Sequence, residues 1–336
     1  MIPRRLLAAL LLLVAGAAPA AADALVIDAT PIAPFSRTEP ERTRFGAFEF
    51  RGGLALASAD ERFGGLSGLW LGEAGTRLVA ISDRGRWLTG RIRYEGTAPV
   101  AITDAAIEPV LGPDGKPVQR TRRFDTEGLA LGPQAAVIGV ERAHEILRFP
   151  YRGEPGAALP RVAGKPMKLP PMPGLVKNRS IEAVALPSSG PLQGAVIAFA
   201  EDAVDEAGNG RAWIVGGPKP GAFALVRGAG DFDVTDAALL PDGDLLILER
   251  HFSFLGGLQA RVRRLAIGDI EPGAVVDGKI LFEASLAQSI DNMEAMAVHV
   301  AADGATVVTL VSDDNFSRLQ RTVLLQFALV EEKPAD

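Results

Sequence analysis

Short runs in which apolar residues alternate with small or polar ones recur along almost the whole chain, and helical period is scarce. Five runs share one shape: an acid or Ser, then Gly or Ala, then alternating apolar residues. They are "FGGLSGLWL" around Ser67, "FDTEGLAL" around Glu127 with Asp125 just ahead, "NRSIEAVAL" around Glu182, "VTDAALL" around Asp236 and "DNMEAMAVH" around Glu294. The key positions lie 60, 55, 54 and 58 residues apart. A second apolar strand follows each run and ends again in acid, at Asp83, Glu141, Glu201, Glu249 and Asp313. Between the two strands stand turn signals such as "LGEAGT", "LPDGD" and "AADGA", where Gly supplies the positive φ that a tight hairpin needs.

A third strand follows in each repeat ("RWLTGRIRY", "EILRFPY", "RAWIVGG", "RVRRLAI", "TVLLQFALV"), and a fourth follows in four of them ("AAIEPVL", "VAGKPMKL", "AFALVRG", "KILFEASL"). The fifth repeat runs out of chain. Its missing strand can come from the N-terminal "FGAFEFRGGLALA", which alternates correctly and has no repeat of its own. Radially repeated blades of four antiparallel strands make a β-propeller, and a strand borrowed from the other terminus closes the ring. The expectation is therefore an all-β chain with five blades in one domain over residues 23–336. A sixth blade from the first 45 mature residues, or a plain β-sandwich, is the alternative. Only "EASLAQSI" (283–290) reads as a short helix, and the Pro-rich 165–180 reads as a loop between blades two and three.

The innermost strand of a blade lines the central channel, and the second strand runs back antiparallel to it, so both acid rows fall on one face around the channel mouth. Such a ring repels itself unless a cation or basic residues neutralise it. Ca²⁺ takes six to eight oxygen ligands and suits a ring of Asp and Glu; the candidate ligands are Asp83, Glu127, Glu141, Glu182, Glu201, Glu249, Glu294 and Asp313. Arg84, Arg142 and Arg250 each directly follow an acid, and Lys177 and Arg179 precede Glu182; these are candidates to bind an anionic substrate, since Arg forks grip carboxylate and phosphate alike. The plainer possibility is that each acid clips one blade to the next.

The first residues, "MIPRRLLAALLLLVAGAAPAAADA", carry a positive start, a short apolar stretch and a small-residue cleavage site, the anatomy of a secretory signal over 1–22. An uncleaved anchor is the alternative, and the paired arginines hint only weakly at twin-arginine export. The mature protein is expected in the periplasm or secreted, without a membrane span. Cysteine is absent, which excludes disulfides, thiolate metal sites and cysteine nucleophiles. Net charge is −6, and −8 once Arg4 and Arg5 are removed, which speaks against a nucleic-acid partner. A monomer acting on a small anionic or ester substrate is the expectation.

The segments "FGGLSGL", "FDTEGLAL", "NRSIEAVAL", "DNMEAMAV" and "VSDDNF" resemble the phytase-like family, described as having esterase-like activity of phytase, from about Phe45 to Phe327. The resemblance implies an exported hydrolase of phosphomonoesters or carboxylic esters, and brings no settled catalytic residues with it. The alkaline propeller phytases, which bridge phosphate with acid-bound Ca²⁺, are a looser comparison that no segment here matches closely.

The leading chemistry is metal-assisted hydrolysis at the mouth, with Glu127, Glu182 and Glu294 as candidate catalytic carboxylates. A serine esterase built on Ser67 with His144 or His251 is a second reading, but residues 65–69 read G-L-S-G-L rather than G-x-S-x-G. His299 alternates within a strand and reads as packed. A lactonase-like metal-dependent propeller, and a non-catalytic propeller that binds a ligand or partner, complete the alternatives.

Overall fold

The computed structural model describes residues 23–330 apart from 177, 178, 229 and 255. The expected signal segment and Lys177 lie outside the described residues. Five sheets form the ring. Blade 1 runs outward from Leu66–Gly72 through Arg77–Ser82, Arg86–Glu95 and Ala98–Pro109; blade 2 through Thr126–Leu131, Ala135–Val140, Glu145–Pro150 and Lys165–Pro166. Blade 3 has Ile181–Ala185, Val196–Val204, Gly210–Val215 and Gly221–Leu225, with Val275–Val276 added in parallel. Blade 4 has Asp233–Leu239, Leu245–Ser253, Gly257–Leu265 and Lys279–Ser285.

Blade 5 is completed from the other end of the chain. Met293–Val300, Thr306–Ser312 and Thr322–Leu329 are followed outward by Phe48–Ala57, with Leu54 opposite Leu324 and Ala55 opposite Val323. The borrowed strand expected from "FGAFEFRGGLALA" therefore closes the ring. Among the described residues there is no sixth blade: Asp28–Ile32 adds an edge to blade 5, and Asp23–Leu25 adds one to blade 1. The closure is sealed by phenylalanines: Phe35 meets Phe327 edge-on at 5.1 Å, and Phe48 stacks on Phe282 of blade 4 at 5.1 Å.

Each gap between blades holds its own core, because both faces of a blade are covered. Trp87 with Phe149 fills the gap between blades 1 and 2, and Trp213 fills that between blades 2 and 3; both indoles are fully buried. Each buried Phe or Leu contributes about 1.5–3 kcal/mol, so the five gaps replace the disulfides the chain lacks. The helix expected over 283–290 does not form: Glu283–Ser285 ends a strand that pairs with Gly257–Leu265, and a turn follows. The fourth strand of blade 2 shrinks to two residues, since Pro166, Pro170 and Pro171 lack the N–H a ladder needs. Among the described residues no helix is long and apolar enough to cross a membrane.

Candidate functional site

Each of the five inner strands carries a register shift near its start. In blade 1 Leu66 faces Ser82 but Gly68 faces Ile81; in blade 3 Ile181 faces Ala200 but Ala183 faces Phe199; in blade 5 Met293 faces Ser312 but Ala295 faces Val311. One extra residue is squeezed out of the ladder, which re-aims a side chain. That residue is Ser67, Glu182 or Glu294. In blade 2 the shift falls beside Glu127, where Gly128 adopts φ +48° and packs so tightly on the Glu182 carbonyl that a Cβ would lie 2.2 Å from it.

The second row follows from the same register. Past the last ladder pair, the backbone N–H of Asp83, Glu141, Glu201 and Asp313 donates to the carbonyl of Gly65, Asp125, Ser180 and Asn292 at 2.8–3.0 Å. These acids and the first-row glutamates thus gather at one mouth of the channel. The opposite stretch is a cavity of about 140 Å³ lined by Leu69, Leu129, Ala185, Ala237, Leu239 and Met296. The channel is acidic at one end and flanked by apolar side chains at the other.

Blade 4 departs from the expectation. Its shift lies between Val234 and Asp236, so Asp236 faces Leu248, Val234 faces Glu249 and Asp233 faces Arg250. By register, Thr235 takes the bulge position and Arg250 the second-row position, one residue along from each acid. Asp236 is fully buried and accepts from the N–H of Ala237 at 2.8 Å and of Met296 at 2.7 Å, clipping blade 4 to blade 5. Glu249 is no collar ligand either. It turns to the other side of its strand and is sealed by Arg261 at 2.6 Å and Arg263 at 2.6 Å. For Asp236 the blade-clipping alternative holds; Glu249 is held inside its own blade by two arginines of the adjacent strand.

The remaining acids crowd together. Oxygens of Glu141, Glu182 and Glu201 all lie within 4.8 Å of one another. Burial, then the charge of Asp125, pushes Glu141 up to about 7. Burial and then Glu127 hold Glu182 well above the carboxylate range, and burial and then Asp83 do the same for Glu127, which Ser67 partly relieves. Asp83 is pushed up to about 8 by burial and Asp313, Glu294 to about 7 by burial against the pull of Arg250, and Asp313 to about 6 by burial. Glu201 is raised by burial, with Arg250 opposing. Glu127, Glu182, Glu201 and Glu294 keep part of their surface open at the mouth, so a ligand can reach them.

The basic candidates divide. Arg250 reaches into the collar, 3.3 Å from Glu294 and 3.7 Å from Glu201. Arg84 lies over the Phe316 ring at 3.3 Å; Arg142 pairs with Asp125 at 2.7 Å and Arg179 with Asp202 at 2.8 Å. Asp125, Asp202 and Asn292 also contact these groups; Asp125 and Asn292 stand within the repeated motifs and Asp202 just after Glu201. Ser67 is buried and donates to the Gly65 carbonyl at 3.2 Å; among the described residues no histidine hydrogen-bonds it. His251 instead lies against Phe232, and His299 is buried, as its alternation implied.

Residues 61–316 match the model of the family described as phytase-like, esterase-like activity of phytase. The chain belongs to the phytase-like family. No curated protein matches it. Among solved structures this phytase-like chain is similar to the glutaminyl cyclase of Myxococcus xanthus (9% identity, TM-score 0.38, covering 80% of this chain and 92% of that one). It is similar also to a putative oxidoreductase (glucose dehydrogenase) of Thermus thermophilus (15%, TM-score 0.37, 79% and 98%) and to the Cps50 (Swd1) β-propeller domain of Myceliophteria thermophila (9%, TM-score 0.38, 91% and 100%). At these scores the likenesses say nothing of chemistry.

Proposed function

We propose that this phytase-like propeller is an exported hydrolase of phosphomonoesters or carboxylic esters, with its site at the acidic mouth. The observation that carries the reading is the meeting of Glu141, Glu182 and Glu201, whose oxygens lie within 4.8 Å of one another. Carboxyl groups that close need shared protons or a cation, and an all-oxygen set from three carboxylates fits a hard ion such as Ca²⁺. Bound there, Ca²⁺ would supply positive charge to the anionic oxygens of an ester under attack. Arg250 offers its exposed edge to those same oxygens, while Arg84, Arg142 and Arg179 draw an anion towards the mouth. Glu127, held high by burial and backed by the Ser67 hydroxyl, takes the proton of an attacking water at its carboxylate; Glu294 is held in place by Asn292 and Arg250. Export is supported by the signal-like residues 1–22, whose cleavage leaves a monomer of one domain.

Calcium titration calorimetry on the EDTA-stripped mature protein, with p-nitrophenyl phosphate and p-nitrophenyl acetate turnover in parallel, tests this. Binding together with calcium-dependent turnover of either ester is expected. No heat and no turnover would leave a non-catalytic binding propeller.

A further inference from the structure

Four blades place a carboxylate where the second strand leaves the ladder, and blade 4 places a guanidinium there. Arg250 spans the collar. Its Nη1 lies 3.3 Å from Glu294 of blade 5 and also donates to Asn292 Oδ1, while its Nη2 lies 3.7 Å from Glu201 of blade 3. The side chain is 25% exposed, so it is held among its partners rather than left in solvent. Asn292 in turn donates to Glu294 Oε1 at 2.9 Å, which fixes that carboxylate towards the guanidinium. Across the collar the arrangement is different: neither Glu141 nor Glu182 has an ion-pair partner among the described residues, although they meet each other and Glu201.

The two halves are therefore alternatives on one plan. A seat between two or three carboxylates, roofed by a second-row residue, is filled by a side-chain cation on the blade 4 side. We infer that Arg250 is the resident cation of the blade 4–5 half of the collar, in the place a second metal ion would take, so that the site holds one divalent cation and one guanidinium. For a substrate this means two unlike positive groups facing one anionic head, the arrangement that a tetrahedral oxyanion such as a phosphoryl group bridges with separate oxygens. The deepening to a metal–guanidinium pair rests on the hydrolase reading above; the role of Arg250 itself does not.

Arg250→Glu restores the acid found at this position in the other four blades, and makes the seat one for metal. Calcium stoichiometry by titration calorimetry on EDTA-stripped protein should read one ion per chain for the wild type and two for R250E, with R250K remaining at one. Should R250E fold poorly, R250Q serves instead: its melting temperature in EDTA should fall below the wild type and be recovered by millimolar Ca²⁺. A wild type that binds none while R250E binds one would overturn the Glu141–Glu182–Glu201 site and leave Arg250's role standing. Two ions in the wild type, or none gained in folded R250E together with an R250Q indifferent to Ca²⁺, would overturn the inference.

Discussion

Carboxyl oxygens of Glu141 and Glu182 lie within 4.8 Å of each other across the boundary between blades 2 and 3. Glu141 enters from the end of a second strand and Glu182 from the bulge of the next inner strand, so ring closure itself brings two acids together. Such contact is tolerable with a proton between them, or with a cation. Which one is present depends on pH.

The sign of that dependence follows from the shifts. Asp83 is raised to about 8, Glu141 and Glu294 to about 7, and Asp313 to about 6, all above an unfolded value near 4. The folded state then binds more protons than the unfolded one between about pH 4 and pH 8, and stability falls as pH rises through that window. Without metal, the melting temperature should drop by several degrees between pH 5 and pH 8. Calcium should reverse the drop and raise the midpoint more at pH 8 than at pH 5, because binding must displace protons. Scanning fluorimetry across pH with EDTA and with Ca²⁺ checks this. A metal-free midpoint that is flat or rising over the range would contradict the shared-proton picture of the collar.

Glu182→Gln separates the two roles of that carboxylate. It removes a repelling charge and keeps the shape, so the metal-free midpoint at pH 8 should rise by about 2–4 °C, the equivalent of roughly 1 kcal/mol in a chain of this class. The same change removes a charged ligand, and calcium affinity should fall by about one to two orders of magnitude. Calorimetry and melting on one sample give both numbers. Unchanged calcium affinity would place the ion elsewhere.

Glu249 should behave in the opposite way. Its carboxylate is the shared partner of the buried Arg261 and Arg263, the latter also bonded to Val226 O and Asp277. Glu249→Ala removes the carboxylate that two buried guanidinium groups share and should cost about 3–5 kcal/mol in urea unfolding. Calcium affinity of the fraction that folds should not change. A mild loss of stability coupled to a loss of calcium binding would return Glu249 to the collar.

Glu249 also shows where reading the chain reaches its limit. "FDTEGLAL", "NRSIEAVAL" and "DNMEAMAVH" place Glu127, Glu182 and Glu294 at or beside the inner-strand bulge, because acid–small–apolar alternation reports the bulge and the strand together. "VTDAALL" and "LILERHF" contain acids one residue from the positions that the other blades turn to the mouth, and which of two neighbours takes that place is decided by pairing register, not by pattern. A one-residue slip turned Asp236 into a clip to blade 5, turned Glu249 to two arginines of its own blade, and brought in Thr235 and Arg250. The five blades and the borrowed strand were legible because they rest on repetition over fifty-odd residues. The extra edge strands Asp23–Leu25 and Asp28–Ile32 were not, since they repeat nothing and depend only on which edge is free. "EASLAQSI" reads as helix by period, yet pairing with Gly257–Leu265 overrides local preference.

Ser67 offers the last discrimination, between a hydroxyl that serves a carboxylate and one that attacks. It is buried at the blade 1 bulge and donates to the Gly65 carbonyl; turned to Glu127 instead, the same hydroxyl lowers that acid's otherwise raised pKa. Ser67→Ala should therefore leave ester turnover within about tenfold of the wild type at high pH. Without its hydroxyl, Glu127 ionises later, so the acidic limb of the kcat/KM profile should move to higher pH. A nucleophilic serine would act otherwise: its loss removes most of the rate, by about a thousandfold or more, at every pH. The pH profile of the S67A variant on p-nitrophenyl acetate decides, since a uniform collapse would make Ser67 the nucleophile and a shifted limb keeps the chemistry with Glu127.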